Sequence, residues 1–359
     1  MTAFEGEGEP VAIRVVQWTT GNVGKQSVQA VVGRPDLELV GCYAWSADKA
    51  GSDVGELCGI GPIGVTATDD VDALLALRPD CVVYNPMWFD VGEMARILEA
   101  GVNMVATAAF INGRSFPDKG RERLLAACEQ GGSSLFGSGI SPGFVELIAI
   151  ALAGASDRID RIVISESADT TAYDSPATEI PVGFGRPLDD PELPAMTAAA
   201  TVVFSEAVAE VGDALGIELD EIVCEAEYAR TTKDLDLGAW SIPKDTVAGV
   251  TIHWHGKIAG RSIVEARVRW RKGDSIEPDW PIGMGWEIEI HGRPTLMTKI
   301  DILPPPDFEA TTMEEFMVLG HILTAVPAVN AIPAVVAAPP GIVTYVDIPV
   351  PLPRGYVPL

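Results

Sequence analysis

Ile13-Arg14-Val15-Val16-Gln17-Trp18-Thr19-Thr20-Gly21-Asn22-Val23-Gly24-Lys25 is the stretch that decides the fold. A β-branched run, Ile13 to Gln17, enters a tight segment with two glycines and leaves through Asn22 to Val32, which is helical in composition. This is the strand, turn and helix of a dinucleotide-binding unit, a GxGxxG pattern with Thr19 at the first glycine position. Gly21 lets backbone approach a pyrophosphate, and Gly24 lets the helix pack closely on the strand. The helix N-terminus then offers its free N–H groups to phosphate. Thr19, Thr20, Gly21, Asn22, Val23 and Gly24 are therefore the expected cofactor turn. Such a turn also occurs as an ordinary loop, so its weight comes from the elements downstream of it.

Beyond the turn, Leu37 to Tyr43, Gly64 to Ala67, Cys81 to Asn85, Met104 to Thr107 and Ser134 to Gly137 read as strands. Amphipathic segments lie between them at Val71 to Leu77, Val91 to Ala100 and Arg121 to Gln130. Strands alternating with helices make βαβ units, so residues 11–145 are expected to form a Rossmann doubly wound parallel sheet. After Pro142 the pattern changes. An apolar helix, Phe144 to Ala153, precedes longer strand-like runs at Arg161 to Ser167, Ile222 to Ala229, Thr246 to Ile258, Ser262 to Arg271, Gly285 to His291 and Thr295 to Ile302. One long helix, Ala195 to Leu215, is placed to cover a face. Residues 146–310 thus read as a second, α+β domain on a mixed or antiparallel sheet, used for substrate and dimer contacts. Residues 311–345 are expected to pack back on the first domain, and the class is α/β.

A chain of 359 residues suits two domains, and 47% hydrophobic with 21% charged residues is ample for folded cores. Lys and Arg number 25 against 51 Asp and Glu, a net charge of −26 that repels nucleic acid and anionic bilayers. An anionic cofactor still binds, because helix N–H groups act locally. Five cysteines without a CxxC spacing read as buried reduced thiols. Met1 to Pro10 reads as a flexible leader and not a signal peptide, which places the protein in the cytoplasm. Ile140 to Ala155, broken by Pro142 and Glu146, is too short for a membrane span.

Cofactor subtype is set at the tip of the second strand, where a carboxylate would bond the 2′-OH of NAD. Ala44-Trp45-Ser46 has no acid there, and Ser46 with Lys49 is suited to a 2′-phosphate, which points to NADP(H). Asp48, turned toward the ribose, keeps NAD(H) open. Trp45 either stacks on adenine or fills an apolar surface groove.

Together with the turn, Asp53-Val54-Gly55-Glu56-Leu57-Cys58-Gly59 and Gly137-Ser138-Gly139-Ile140-Ser141-Pro142-Gly143-Phe144 make the chain resemble the dihydrodipicolinate reductase-like superfamily. Within it the chain is most similar to the branch of 2,4-diaminopentanoate dehydrogenase and the native NAD(P)H-dependent amine dehydrogenases. The resemblance runs on through Glu166-Ser167-Ala168-Asp169 and Gly183-Phe184-Gly185 to Val329-Asn330-Ala331-Ile332-Pro333. It implies that Gly139, Ser141 and Pro142 lie near the nicotinamide, with Thr107 in the cofactor set, and that the second sheet pairs subunits in a homodimer. The implied activity is reductive amination of small apolar aldehydes or ketones with ammonia, and the reverse amine oxidation. Amine dehydrogenases of this group have a glutamate shortly after the residue matching Thr107, whereas Ala108-Ala109-Phe110 carry no acid here. The His-His-x-x-Lys signature of true dihydrodipicolinate reductases is not found. Reduction of a carbonyl or cyclic imine without free ammonia therefore stands as an alternative, and a nucleotide sensor without catalysis as one of another class.

Hydride transfer to an iminium requires a carboxylate facing the positive charge. Glu166 and Asp169 are the candidates. Alternation sets Ile162, Ile164 and Glu166 on one face, so Glu166 is either a pocket acid or the exposed end of a strand. Tyr173 is a candidate hydroxyl donor or a packed loop aromatic. His253 and His255 share a strand face, and His253 is the candidate catalytic histidine. No third ligand is placed beside the two, so no metal is expected. Phe110, Phe184 and Trp286 are the candidate pocket walls.

Overall fold

The β-branched opening run becomes strand Ile13–Trp18, in which Val15, Val16 and Trp18 are fully buried. The computed structural model describes residues 12–117, 119–173 and 175–357, and the leader expected over residues 1–10 lies outside them. The chain divides into two compact units, one running to Ile140 and resuming at Gly320, the other Ser141–Leu319.

The first unit holds a seven-stranded parallel sheet in the spatial order Gly341–Val343, Ser134–Gly137, Asn103–Ala106, Cys81–Tyr84, Ile13–Trp18, Leu37–Tyr43, Ala67–Thr68. Strand order reverses on either side of Ile13–Trp18, the switch point at which open α/β sheets bind ligands. Cys81–Tyr84 is buried at every residue, as a strand covered on both faces must be. The strand expected at Gly64 to Ala67 shrinks to Ala67–Thr68. The cause is Asp53, whose carboxylate accepts from the N–H groups of Ile63 and Gly64 and holds them in a turn instead of a ladder. Helix Val318–Val336 is long and apolar enough to cross a membrane by composition alone. It buries Ala325, Ala328, Val329, Ala331, Ile332 and Val335, and its Asn330 accepts from the buried guanidinium of Arg34 at 3.0 Å.

The second unit holds a seven-stranded mixed sheet in the order Ile276–Glu277, Glu221–Thr231, Val247–Ile258, Arg261–Arg271, Arg158–Asp169, Gly285–Arg293, Leu296–Ile300. Only Arg261–Arg271 and Arg158–Asp169 run parallel. The long helix expected over Ala195 to Leu215 is two helices, Leu193–Ala200 and Val203–Ala214, bent by 57°. Thr201 causes the break. Its hydroxyl bonds back to the Thr197 carbonyl at 2.7 Å while accepting the Trp254 indole N–H at 3.1 Å, and back-bonding of this kind bends helices. Trp254 thereby marks the helix-covered face of the sheet, and alternation turns His253 and His255 to the opposite one.

Candidate functional site

In the first unit, strand Ile13–Trp18 delivers Thr19 with φ 71°, the left-handed conformation a glycine would adopt without strain. Three contacts hold the threonine there. Its N–H donates to Tyr43 O at 3.0 Å, its hydroxyl to Asn85 O at 3.2 Å, and its carbonyl accepts Gln17 Nε2 at 2.8 Å. Asn85 accepts a second bond from Gln17 Nε2 and donates to the Thr107 hydroxyl at 2.8 Å, so Thr107 is tied to the turn by one side-chain chain. Helix Asn22–Val32 starts at Gly21 with no side-chain cap and no acid in its first turn, which leaves its N–H groups to an anion. Lys49 Nζ donates to Thr20 O at 3.3 Å, placing a cation beside the turn. The Ser46 hydroxyl bonds Asp48, which holds that carboxyl below its usual range. Trp45 is 75% exposed. Ser138, in the Gly-Ser-Gly segment that includes Gly139, pairs its hydroxyl with the Tyr345 hydroxyl at 2.6 Å.

In the second unit, Glu166 lies on the helix-covered face of strand Arg158–Asp169, directly opposite Trp286 in the antiparallel neighbour. Its Oε1 accepts from Trp270 Nε1 at 2.7 Å and its Oε2 from Trp286 Nε1 at 3.0 Å. The Ser141 hydroxyl bonds the same carboxylate. Burial pushes its carboxyl above the usual range, and these three donors oppose the shift. Nothing cationic pairs with it among the described residues. The adjoining turn is held by a second acid, since Gly143 N–H donates to Glu146 Oε2 at 2.5 Å. Glu166 is thus a half-buried, hydrogen-bonded carboxylate with no cationic partner among the described residues, an arrangement suited to a positively charged guest.

Several candidates fall elsewhere. Phe110 is 1% exposed within the core of the first unit, edge-on to Phe116 at 5.4 Å, and is a core residue instead of a pocket wall. Phe184 is also 1% exposed, with the buried Lys272 ammonium 5.6 Å from its ring centroid, and is equally core. Asp169 is engaged by Arg271 at 3.4 Å and by Thr171 N–H at 3.0 Å. Tyr173 is 39% exposed, and its carbonyl accepts from Lys272 at 3.1 Å. His253 lies on the sheet face opposite Glu166, because Glu166 is level with Val268 and Ile252 while His253 is level with Arg267. Its Nδ1 lies 2.8 Å from Glu265 Oε1.

That second face does hold a third ligand type that the sequence did not place. His253, His255 and Glu265 bring their ligand atoms within 4.8 Å of one another beside a cavity of about 370 Å³. Glu265 is already bonded by Arg161 and by Arg267 Nε at 3.1 Å. Two guanidiniums neutralise this carboxylate and oppose a further cation, so the constellation is an ion-pair cluster. Sequence reasoning missed Trp270, Asn85, Gln17 and the role of Glu146. Strand alternation offered a signal for Trp270 alone, since it shares a face with Val268.

Both units match known protein families. The family described as the 2,4-diaminopentanoate dehydrogenase C-terminal domain matches residues 144–354, and the dihydrodipicolinate reductase N-terminus matches residues 15–106. An amine dehydrogenase of Streptomyces virginiae is 33% identical over 94% of this chain and 96% of its own length. The 2,4-diaminopentanoate dehydrogenase of Acetoanaerobium sticklandii is 25% identical over 71% of this chain and 69% of its own. Among solved structures, an amine dehydrogenase from Mycobacterium smegmatis superimposes with a TM-score of 0.76 at 22% identity, covering 96% of this chain and 98% of that one.

Proposed function

This chain belongs to the 2,4-diaminopentanoate dehydrogenase and amine dehydrogenase family of NAD(P)-dependent oxidoreductases, and on that premise we propose that Glu166 is its amine-handling carboxylate. The reaction is reductive amination of a small apolar aldehyde or ketone with ammonia, and its reverse. The observation that carries this reading is the half-buried Glu166 carboxylate held by two indole N–H groups and one hydroxyl with no described cation. A carboxylate so placed stabilises an iminium or ammonium in a low-dielectric site without first breaking an ion pair. Glu166 is an acid of the second unit, whereas Ala108, Ala109 and Phe110 carry none. The test monitors NAD(P)H oxidation over a panel of aldehydes and ketones with and without ammonium. Ammonium-dependent turnover supports the reading. Equal turnover without ammonium favours carbonyl or cyclic-imine reduction, the alternative that the missing acid after Thr107 keeps open.

For the cofactor we propose Thr19 to Gly24 as the pyrophosphate turn, with NADPH preferred to NADH through Lys49 and Ser46. The Lys49 ammonium already leans on the turn, and a charge-assisted bond to a 2′-phosphate is worth about 1.5–3 kcal/mol. NADPH is therefore expected to bind about ten- to hundredfold more tightly than NADH, and Lys49→Ala to narrow the gap. Equal dissociation constants in the parent protein would count against the assignment.

A second copy of the chain is the proposed occupant of the sheet face bearing His253, His255, Glu265 and Arg267. Glu225 and Glu227 line its cavity with Arg161 and Arg267, so the face carries charges of both signs that a like face could pair. Sedimentation is expected to give a dimer, and a monomer at micromolar concentration would remove this placement. All five cysteines are free, which suits the reducing cytoplasm, where we expect fractionation to find the protein.

A further inference from the structure

Beside the half-buried Glu166 lies a second, fully buried acid, to which the amine-handling role assigns no part. Glu146 is 1% exposed, in the first turn of helix Val145–Ala153. Its Oε2 takes the Gly143 N–H, and its Oε1 has no hydrogen-bond partner among the described residues. The turn Ser141-Pro142-Gly143 connects the two acids, because Ser141 bonds Glu166 at one end and Gly143 bonds Glu146 at the other. Strands Gly285–Arg293 and Arg158–Asp169 and helix Val203–Ala214 pack against the Glu146 helix. Glu287, Glu289 and His291 lie on the far face of their strand by alternation from Trp286, and Glu206 and Glu210 are the buried acids on the packed helix. Of all these groups, Glu166 is the one whose charge acts on Glu146. Among the described residues no cation pairs with either carboxyl.

Glu265, on the opposite face of the same sheet, is the internal contrast. It is as deeply buried as Glu146, but two guanidiniums bond it. Two neighbouring carboxyls, one buried and one half-buried, with no described counter-cation cannot both ionise cheaply, so one of them keeps its proton. Glu166, with three donors, is the better-stabilised anion. Glu146, with one N–H and a bare oxygen, is the better place for the proton.

We propose that Glu146 and Glu166 act as one acid–base pair that carries a single negative charge, with Glu146 as the residue that sets the proton balance of Glu166. This rests on the reductive amination reading. The proton arithmetic of that reaction fits a pair with one exchangeable proton. An ammonium ion gives one proton to the Glu166 carboxylate, and the ammonia so formed makes the C–N bond to the carbonyl carbon. Within the resulting carbinolamine one proton passes from nitrogen to oxygen. The pair then returns its proton to that hydroxyl, the C–O bond breaks, water leaves and a cationic iminium faces a negative pair again. Hydride from NAD(P)H reduces the iminium carbon, and the electron pair of the C=N bond goes to nitrogen. Carbonyl, ammonium and NAD(P)H thus become amine, NAD(P)⁺ and water, with the proton borrowed from ammonium returned in the water.

Burial pushes the Glu146 carboxyl up to about 7, opposed by the Gly143 N–H and assisted by the Glu166 charge. Infrared difference titration of the full chain without substrate reads this directly. The parent protein is expected to show a protonated-carboxyl C=O band on the acid side that fades with a midpoint near 7. Glu146→Gln keeps volume and an acceptor for Gly143 N–H, and should lack the band. Glu166→Gln should keep the band with its midpoint moved down by about one pH unit, because removing a neighbouring negative charge favours ionisation. Absence of the band in the parent protein, or an unmoved midpoint in Glu166→Gln, overturns the pair. Normal turnover of Glu166→Gln with the band behaving as expected would instead sink the amine-handling role and leave the pair standing.

Discussion

Gly21→Val is expected to abolish NAD(P)H binding while the protein folds as before, and Gly24→Ala to do the reverse. The two glycines are three residues apart and do different work. Gly21 has φ −71° and ψ −175°, an extended conformation open to any residue, and an added Cβ would meet nothing within 4 Å. The space it would enter is the space in front of the uncapped helix N-terminus, where a pyrophosphate must approach backbone. A valine there fills the anion's place at little cost to the apo fold. The expected loss is at least about a hundredfold in affinity, or roughly 2.8 kcal/mol. At Gly24 a Cβ would lie 2.3 Å from Thr19 O and 3.1 Å from Gln17 Nε2. Helix and strand would have to move apart, and overpacking of this kind costs about 1–3 kcal/mol. Isothermal titration with NADPH and denaturant unfolding separate the two effects. Parental affinity in a folded Gly21→Val protein would remove this turn as the phosphate site.

The first unit was legible because its information is local. Periods of 2 and 3.6 residues mark strands and helices within a dozen residues, and a βαβ order leaves little choice of topology. Where local reading failed, a distant side chain had intervened. Asp53 bent Gly64 out of the expected strand, and Trp254 with Thr201 broke the expected long helix. Both are tertiary contacts without a periodic signal.

The site was legible only in part, for a related reason. Alternation put Glu166 on the face of Ile162 and Ile164, and burial alone does not single out that face, since Val163 on the other one is buried as well. Its clamps, Trp270 and Trp286, are 104 and 120 residues away along the chain, and only the register of three strands aligns them. Register also decided His253. Parity within one strand is visible in sequence, but which parity shares a face with Glu166 depends on the pairing of three strands. Phe110 and Phe184 show a second limit. Aromatic residues fill cores and line pockets with the same chemistry, so composition cannot separate the two. Thr19 is the opposite case. As a departure from the glycine pattern it looked like a weakness of the motif, yet its φ of 71° shows the backbone geometry kept and the strain held by Tyr43, Asn85 and Gln17.

Glu166→Gln is expected to lower turnover about 10²- to 10⁴-fold while NAD(P)H affinity stays near that of the parent. The substitution keeps the volume and at least one acceptor for the indoles of Trp270 and Trp286, and removes the charge. The cofactor turn belongs to the first unit, so its binding provides the internal control for folding. Burial holds the Glu166 carboxyl above its usual range, and the step needs the ionised form to meet an ammonium or iminium. Parent activity should therefore rise with pH as Glu166 ionises, and this acid limb should be missing from what activity the variant retains. The size of the effect distinguishes a facing charge from a structural acid. Loss of a structural acid at this depth would appear as a lower unfolding midpoint with turnover per folded molecule unchanged. Turnover within about twofold of the parent, in a variant that binds NADPH normally, would return Glu166 to a packing role. The reaction would then have no half-buried, unpaired carboxylate from this strand to face its cation, and weight would shift to the ammonia-independent reduction that Ala108 and Ala109 leave open.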